Sequence, residues 1–358
     1  MSEINVKEQI RKFALKSMYG FQTVLTYGIG RQLGIFKYLY EKGITDTPEG
    51  KISHVSFTTD DLIKNLGLDS RHVDCWLHMA KECGIFEIED NEKKIIRTAP
   101  HVYDILINPG SMVYFGWMLR GFYLQSLMQE SLFENFKTGE TNSFYDFPGE
   151  YYLEGQKMSA ATGLIVERLF SKYCKSYKRN FQKNGTALEV GCGYGLNLEN
   201  WAKKYKRANF VGIDIDTNGI NHAEKIIREN KWGERVKVFN TTIEDFSRKT
   251  NNKFNIIILN QVLHEMDPDE DYRRNVFKEI YSLLKDDGML IVGETMIPDT
   301  FAPNQKGQFF NVMHKWLEVN YWSKFYDEDT FKELIASTPF TNIKLIKEKT
   351  DYFWAIIK

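Results

Sequence analysis

Three glycines at alternate positions, Gly191, Gly193 and Gly195, follow the apolar run Thr186-Ala187-Leu188-Glu189-Val190. The run reads as a buried strand, and the glycines as a turn whose backbone takes positive φ and lies directly against a ligand. Glu189 is the odd member, because a carboxylate in an apolar strand costs several kcal/mol or more unless something polar meets it. A cationic or hydroxyl-rich ligand is the natural partner. About twenty residues further on, Phe210-Val211-Gly212-Ile213 is a second apolar strand ending at Asp214, an acid suited to accept from two ribose hydroxyls. A dinucleotide fingerprint would put its third glycine at Leu196, whereas the pattern here is G-x-G-x-G. A ribose without a pyrophosphate is thus permitted.

A second chemical stretch is Asn260-Gln261-Val262-Leu263-His264-Glu265-Met266-Asp267-Pro268-Asp269, after the fourth strand of the alternating region. It falls at the carboxyl edge of the sheet, where open α/β folds bind ligands. A histidine there, with an ordinary pKa near 6.5, can take a proton from a hydroxyl; a purely structural role stands beside that one. His314, in Phe309-Phe310-Asn311-Val312-Met313-His314-Lys315-Trp316, is the reserve base. The acids Asp267, Asp269, Glu270 and Asp271 open a helix, where the backbone dipole favours negative charge, so no metal is expected.

An acid followed by G-x-G-x-G, with a second acid ending the next strand, resembles the class I S-adenosylmethionine-dependent methyltransferases. Within them, V-L-H-E-M-D-P-D resembles the V-L-H-D-W-D-D segment of the winged-helix small-molecule O-methyltransferases, which include plant phenolic and bacterial antibiotic enzymes. The likeness extends from about Phe21 to the end of the chain. It implies S-adenosylmethionine as cofactor, His264 as general base, and Glu294 as the acid that orients it. It also implies a homodimer joined through the amino-terminal domains. The expected cofactor residues are Glu189, Gly191, Gly193, Gly195, Asp214, Ile215, Thr242, Ile243 and Asn260; those of the substrate pocket are Trp117, Met118, Met158, Gln261, Met313 and His314.

Three departures from the pattern bear on chemistry. Ser323-Lys324-Phe325-Tyr326-Asp327 stands where many relatives carry G-x-E-R-T, so a second acid beside the base is in doubt. Thr241-Thr242 replaces a G-D pair near the adenine, and Met266 replaces a tryptophan, which weakens any inference of a flat phenolic substrate.

The elements that must position these residues are legible in turn. From Thr186 onward strands and helices alternate, which gives a mostly parallel Rossmann-like sheet. Strands are expected at Thr186 to Val190, Asn209 to Ile213, Val236 to Phe239, Phe254 to Leu259 and Met289 to Val292, with a reversed last strand after Glu348-Lys349-Thr350-Asp351. Residues 1–105 read as a helical and winged-helix domain: Thr58-Thr59-Asp60-Asp61 resembles a capping box opening the helix Asp61 to Asn65, Ser70 to Glu82 is a second helix, and a ribbon follows. Residues 106–180 form a helical linker crowded with Met112, Trp117, Met118, Phe122 and Met128, and 181–358 the cofactor domain. Residues Gln308 to Trp322 complete the expected pocket wall.

Composition narrows the partners. The chain has 358 residues, with 47 Lys plus Arg against 48 Asp plus Glu, so no overall field recruits nucleic acid or anionic membrane. Thr58 to Cys83 carries three basic against five acidic side chains, the wrong balance for a helix that docks on phosphates. The apolar stretch Ile10 to Tyr40 is too rich for a solvated helix and points to a second copy or a covering domain. Four cysteines without metal spacing suit a reducing cytoplasm, and no apolar run reaches the roughly 20 residues of a membrane span. The expectation is a cytoplasmic enzyme with a small-molecule substrate.

Overall fold

The computed structural model describes residues 5–48, 51–111, 113–127, 129–142, 149–298 and 309–358. Met112, Met128 and Gln308, which the sequence placed in the pocket walls, lie outside them. The chain divides into two compact units, Met1–Glu130 and Ser131–Lys358, and the division falls inside the segment 106–180.

In the first unit a helical stretch runs through Val6–Ile10, Arg11–Lys16 and Ser17–Gln32; Gly34, at φ 78°, turns the chain into the helix Ile35–Asp46. Strand β1 (Ser56–Thr58) leads into helices Thr59–Leu66 and Ser70–Glu82, then β2 (Phe86–Asp90) and β3 (Ile95–Thr98). The capping box is present, with Thr58 Oγ1 accepting from the Asp61 N–H at 3.2 Å and the Asp61 carboxylate accepting from the Thr58 N–H at 2.8 Å. The helix therefore begins at Thr59, two residues before the expected Asp61, because Asp61 is its third residue and not its first. The ribbon also gains an unexpected third strand, in the order β1-β3-β2. Its core holds Tyr27, Phe36, Phe57 and Phe86; Tyr27 and Phe36 lie 4.7 Å apart, Phe57 and Phe86 5.1 Å apart edge to face. Such pairs add about 0.5–1.5 kcal/mol each beyond their buried area.

The second unit is a seven-stranded sheet of β4 (Thr186–Val190), β5 (Asn209–Asp214), β6 (Val236–Asn240), β7 (Phe254–Asn260), β8 (Leu284–Gly293), β9 (Asn342–Glu348) and β10 (Asp351–Ile357). Their order is β6-β5-β4-β7-β8-β10-β9, parallel except for β10, which is antiparallel to both neighbours. The strand order reverses between β4 and β7, so a crevice opens at their carboxyl ends. Both faces are covered, which is why Ile256 to Leu259 of β7 form an unbroken apolar run: Ile257 and Leu259 enter one core layer, Ile256 and Ile258 the other. Helices Glu270–Leu283 and Glu328–Ala336 cover the first face, Gly149–Tyr173 and Leu196–Lys204 the second. Strand β8 begins five residues before the expected Met289. Leu284 pairs with Phe254 ahead of a register shift, which the polar Lys285-Asp286-Asp287 concealed.

One buried cation ties loops below the crevice. Arg273 is 0 % exposed and donates to the carbonyls of Met266 and Asp267, each at 2.9 Å, and of Lys324 at 3.1 Å. The Lys324 N–H donates in turn to the His264 carbonyl at 2.9 Å. Charge-assisted hydrogen bonds are worth about 1.5–3 kcal/mol each, with incomplete additivity. Arg273→Leu is expected to lower unfolding free energy by about 3 kcal/mol; a urea midpoint equal to that of the unaltered protein would contradict this.

Candidate active site

The turn after β4 is built as its glycines require. Gly191, Gly193 and Gly195 have φ of 71°, 48° and 78°. A Cβ on Gly193 would lie 2.2 Å from Gln156 Oε1, and one on Gly191 2.1 Å from Val262 Cγ2, so the turn packs directly on the loop that carries His264. Asp214 at the end of β5 accepts from the Gly193 N–H at 2.7 Å and the Asp216 N–H at 2.8 Å. Burial pushes its pKa up in spite of those two donors. Glu189 is 2 % exposed; one oxygen accepts from Asn197 Nδ2 at 2.6 Å, and the other has no partner among the described residues. Burial lifts its carboxyl to about 8, with Asn197 pulling down and Asp214 pushing further up. A buried oxygen without a donor, beside a cradle that no side chain could enter, fits a ligand bearing ammonium or hydroxyl groups.

The second cluster joins the ends of β7 and β8. His264 is 1 % exposed, and its Nδ1 lies 2.7 Å from Glu294 Oε1. Glu294 also accepts from the Thr295 N–H at 2.8 Å and the His264 N–H at 3.3 Å. Burial alone would lower the imidazole; the charge and hydrogen bond of Glu294, then Glu265 and Glu318, outweigh it and raise the pKa to about 9. Burial would raise Glu294, but His264 beside it holds it below the ordinary carboxylate range. Phe325 stacks on the His264 ring at 4.6 Å, and His314 meets that ring edge-on at 4.7 Å. Burial and the neighbouring imidazole hold His314 down at about 4, so it is neutral at pH 7.

The doubted second acid exists at a different place. No carboxylate from Ser323 to Tyr326 is available, yet Glu318, at the end of helix Phe309–Glu318, brings an oxygen within 4.8 Å of a ring nitrogen of both His264 and His314. Glu265 Oε1 lies 3.9 Å from His264 Nε2. Burial pushes both acids above the usual range. Sequence reasoning missed Glu318 because it looked downstream for a motif; its only signal was the four-residue spacing from His314, which puts both on one helical face.

The remaining expected residues are placed as follows. Asn260 donates to the Ser159 carbonyl at 2.9 Å, and Gln261 Nε2 to the Gly293 carbonyl at 2.9 Å. Ile215 is 71 % exposed just past Asp214, whereas Ile243 is buried in the sheet core. Thr242 caps the helix Ile243–Lys249 through its hydroxyl. Met313 is half-buried on the helix with His314. The Met158 side chain lies outside the described residues. Trp117 and Met118 belong to the amino-terminal unit, where Trp117 Nε1 donates to the Tyr114 carbonyl at 3.1 Å and Met118 is buried. The acids after His264 are engaged elsewhere: Asp269 caps its helix, Asp271 pairs with Arg274, and Glu270 with Lys324 and Tyr326.

Residues 188–290 match the family described as a methyltransferase domain. Cyclopropane mycolic acid synthase 2 of Mycobacterium bovis is 27 % identical over 134 residues, which is 36 % of this chain and 43 % of the synthase. An uncharacterised protein of Rickettsia prowazekii is 22 % identical over 178 residues, 46 % of this chain and 69 % of that one. Among solved structures, a mitomycin 7-O-methyltransferase superposes with a TM-score of 0.71 at 14 % identity, covering 98 % of each chain. Human N-acetylserotonin methyltransferase, in complex with S-adenosylmethionine, gives 0.66 at 12 % identity, covering 100 % of this chain and 99 % of that one. The fold is thus shared along the whole length with these structures, and residues 188–290, which hold the acid and the G-x-G-x-G turn, match a methyltransferase domain.

Proposed function

We propose that this methyltransferase moves a methyl group to a hydroxyl oxygen of a small molecule, with His264 as general base and Glu294 as the acid that orients it. The observation that carries the reading is His264 itself: Nδ1 is committed to Glu294, while Nε2 is buried and has no partner among the described residues. Glu294 fixes the tautomer in which the Nε2 lone pair is free, and favours the imidazolium that proton transfer leaves behind. Phe325, stacked on the ring, helps to hold its plane and to keep water off it. When bound, S-adenosylmethionine supplies an electrophilic methyl group on its sulfonium. Glu189 and Asp214 would hold its amino-acid and ribose ends, Gly191 to Gly195 would cradle it, and exposed Ile215 and the Thr242 to Ile243 turn would face its adenine.

The pH dependence follows from the base. An imidazole with a pKa of about 9 is mostly protonated at pH 7, so kcat/KM is expected to rise about tenfold per unit towards pH 9 and then level. His264→Ala is expected to keep affinity for S-adenosylhomocysteine and to lose about 10²–10⁴ in turnover of a hydroxylated acceptor. Turnover unchanged by the substitution would end the base role and favour a sulfur, nitrogen or carbon acceptor.

Glu189 gives a test that needs no acceptor. Its folded pKa of about 8 lies above the ordinary 4.5, so its stabilising contribution is complete below pH 4.5 and is lost as pH rises through 8. In the ligand-free protein Glu189→Gln should flatten that decline in urea midpoint and weaken S-adenosylhomocysteine by about tenfold or more in calorimetry. A variant with the parent's pH slope and affinity would remove Glu189 from the cofactor site.

The reading extends to a cytoplasmic homodimer joined through a winged-helix amino-terminal domain. The helix, turn, helix and three-stranded sheet of 56–98 support the winged helix, and four free thiols support the location. For the dimer, Val6, Ile10, Phe13, Leu15, Met18 and Phe21 are each more than half exposed, and a largely apolar groove of about 900 Å³ includes Ile29, Leu33, Val73, Trp76 and Met79. Among the described residues no helix is long and apolar enough to cross a membrane. Sedimentation should give twice the chain mass, and Phe13→Glu with Phe21→Glu should halve it; a monomer at micromolar concentration before substitution would overturn the dimer.

A further inference from the structure

Beside the base, two imidazoles and a carboxylate meet at one point. One ligand atom each from His264, His314 and Glu318 lies within 4.8 Å of the other two. The surrounding hydrogen bonds decide which nitrogens are free. Gln261 Nε2 donates to the Gly293 carbonyl, so its Oε1 is left to accept from the Thr295 hydroxyl at 3.0 Å. Having spent its proton there, Thr295 Oγ1 can only accept from His314, whose Nδ1 lies 3.1 Å away. The Nδ1 of His314 thus carries hydrogen and its Nε2 a lone pair. By the same argument the Glu294 carboxylate takes the Nδ1 proton of neutral His264, leaving a lone pair on the buried, unpartnered Nε2. His314 thus presents an Nε2 lone pair directly, and His264 presents one once an electrophile displaces its Nε2 proton.

We propose that His264, His314 and Glu318 form a binding site for one divalent cation of the zinc class, and that the cation competes with the acceptor's proton for the Nε2 lone pair of His264. Two imidazoles and one glutamate, with a position left open, are a zinc-binding set. The outer sphere is already in place: Glu294 on one imidazole and Thr295 on the other are the kind of partner that orients histidine ligands and raises their basicity. Bonds of about 2.0–2.1 Å in a tetrahedron put ligand atoms about 3.3 Å apart. With the three atoms within 4.8 Å of one another, the closure required is at most about 1.5 Å for any pair, supplied by rotation of the Glu318 side chain and small shifts of the two rings. Glu265, 3.9 Å from His264 Nε2, stands by as a further oxygen ligand. Hard cations such as magnesium favour all-oxygen shells, so the two nitrogens select against them. Only the competition rests on the general-base reading; binding stands on the ligands alone.

The test uses the full-length protein with cobalt(II) and zinc(II), and its binding arm requires no methyl acceptor. One cobalt per chain should bind with the intense visible bands of a four- or five-coordinate ion, and zinc should displace it. His314→Ala and Glu318→Gln should each weaken zinc in calorimetry by more than about 100-fold, and Glu294→Gln, acting through the outer sphere, by about 10–100-fold. Absence of saturable uptake, or affinity indifferent to both His314→Ala and Glu318→Gln, would overturn the site. The conservative Glu318→Gln keeps the question open to measurement should His314→Ala fold poorly. Zinc should also abolish turnover at one equivalent. Zinc bound at these ligands with full turnover would overturn the competition, and with it the base role of His264, while leaving the metal site intact.

Discussion

The hydrogen bond between His264 and Glu294 joins the ends of adjacent strands inside a nearly dry crevice. A buried acid without its partner would cost several kcal/mol, and so would a buried imidazolium; each is tolerable only because the other is fixed opposite it. That requirement reaches far into the fold. β7 and β8 must stay in register so that Asn260 lies opposite Gly293, the loop after β7 must return its carbonyl to Lys324, and Arg273 must hold the carbonyls on either side. Methyl transfer asks little of the protein beyond alignment, exclusion of water and a home for one proton. The crevice carries polar groups at strand ends and apolar packing behind them.

The two acid-bearing halves of the crevice have opposite electrostatic characters. Around the glycine turn, burial raises the carboxyls of both Glu189, which has one oxygen without a donor among the described residues, and Asp214, which accepts from two backbone N–H groups, so Glu189 is mostly neutral at pH 7. Around His264, carboxylates surround two imidazoles, one raised and one lowered, so neighbouring rings of the same chemical type differ in protonation at neutral pH. Geometry alone separates them. One has a carboxylate on its inner nitrogen, the other only a hydroxyl.

The sheet was legible because parallel strands covered on both faces carry apolar runs, and Ile256 to Leu259 of β7 and Phe210 to Ile213 of β5 are such runs, while Glu189 interrupts the one in β4. The glycine turn and the acids Glu189 and Asp214 stand out in the sequence for a related reason: charges and alternate glycines are unusual inside such runs. β8 was only half visible, since its first residues pair beyond a polar interruption. β1 was hidden by its three-residue length, and Glu318 by long-range placement. Nothing local distinguishes an acid at the end of the helix Phe309–Glu318 from a solvated one, and only the return of that helix over His264 gives it a role.

The missing side chain at Gly191 has a mechanical result. Val262 occupies the space where a Cβ would stand, so the glycine turn and the loop bearing the imidazole are in van der Waals contact two residues from His264. Neither can shift without displacing the other. Any ligand that spreads the turn also re-aims the His264 ring, which couples occupancy of one half to the geometry of the other. Damage to turnover from a substitution in the turn would therefore mix weakened uptake with a misdirected ring.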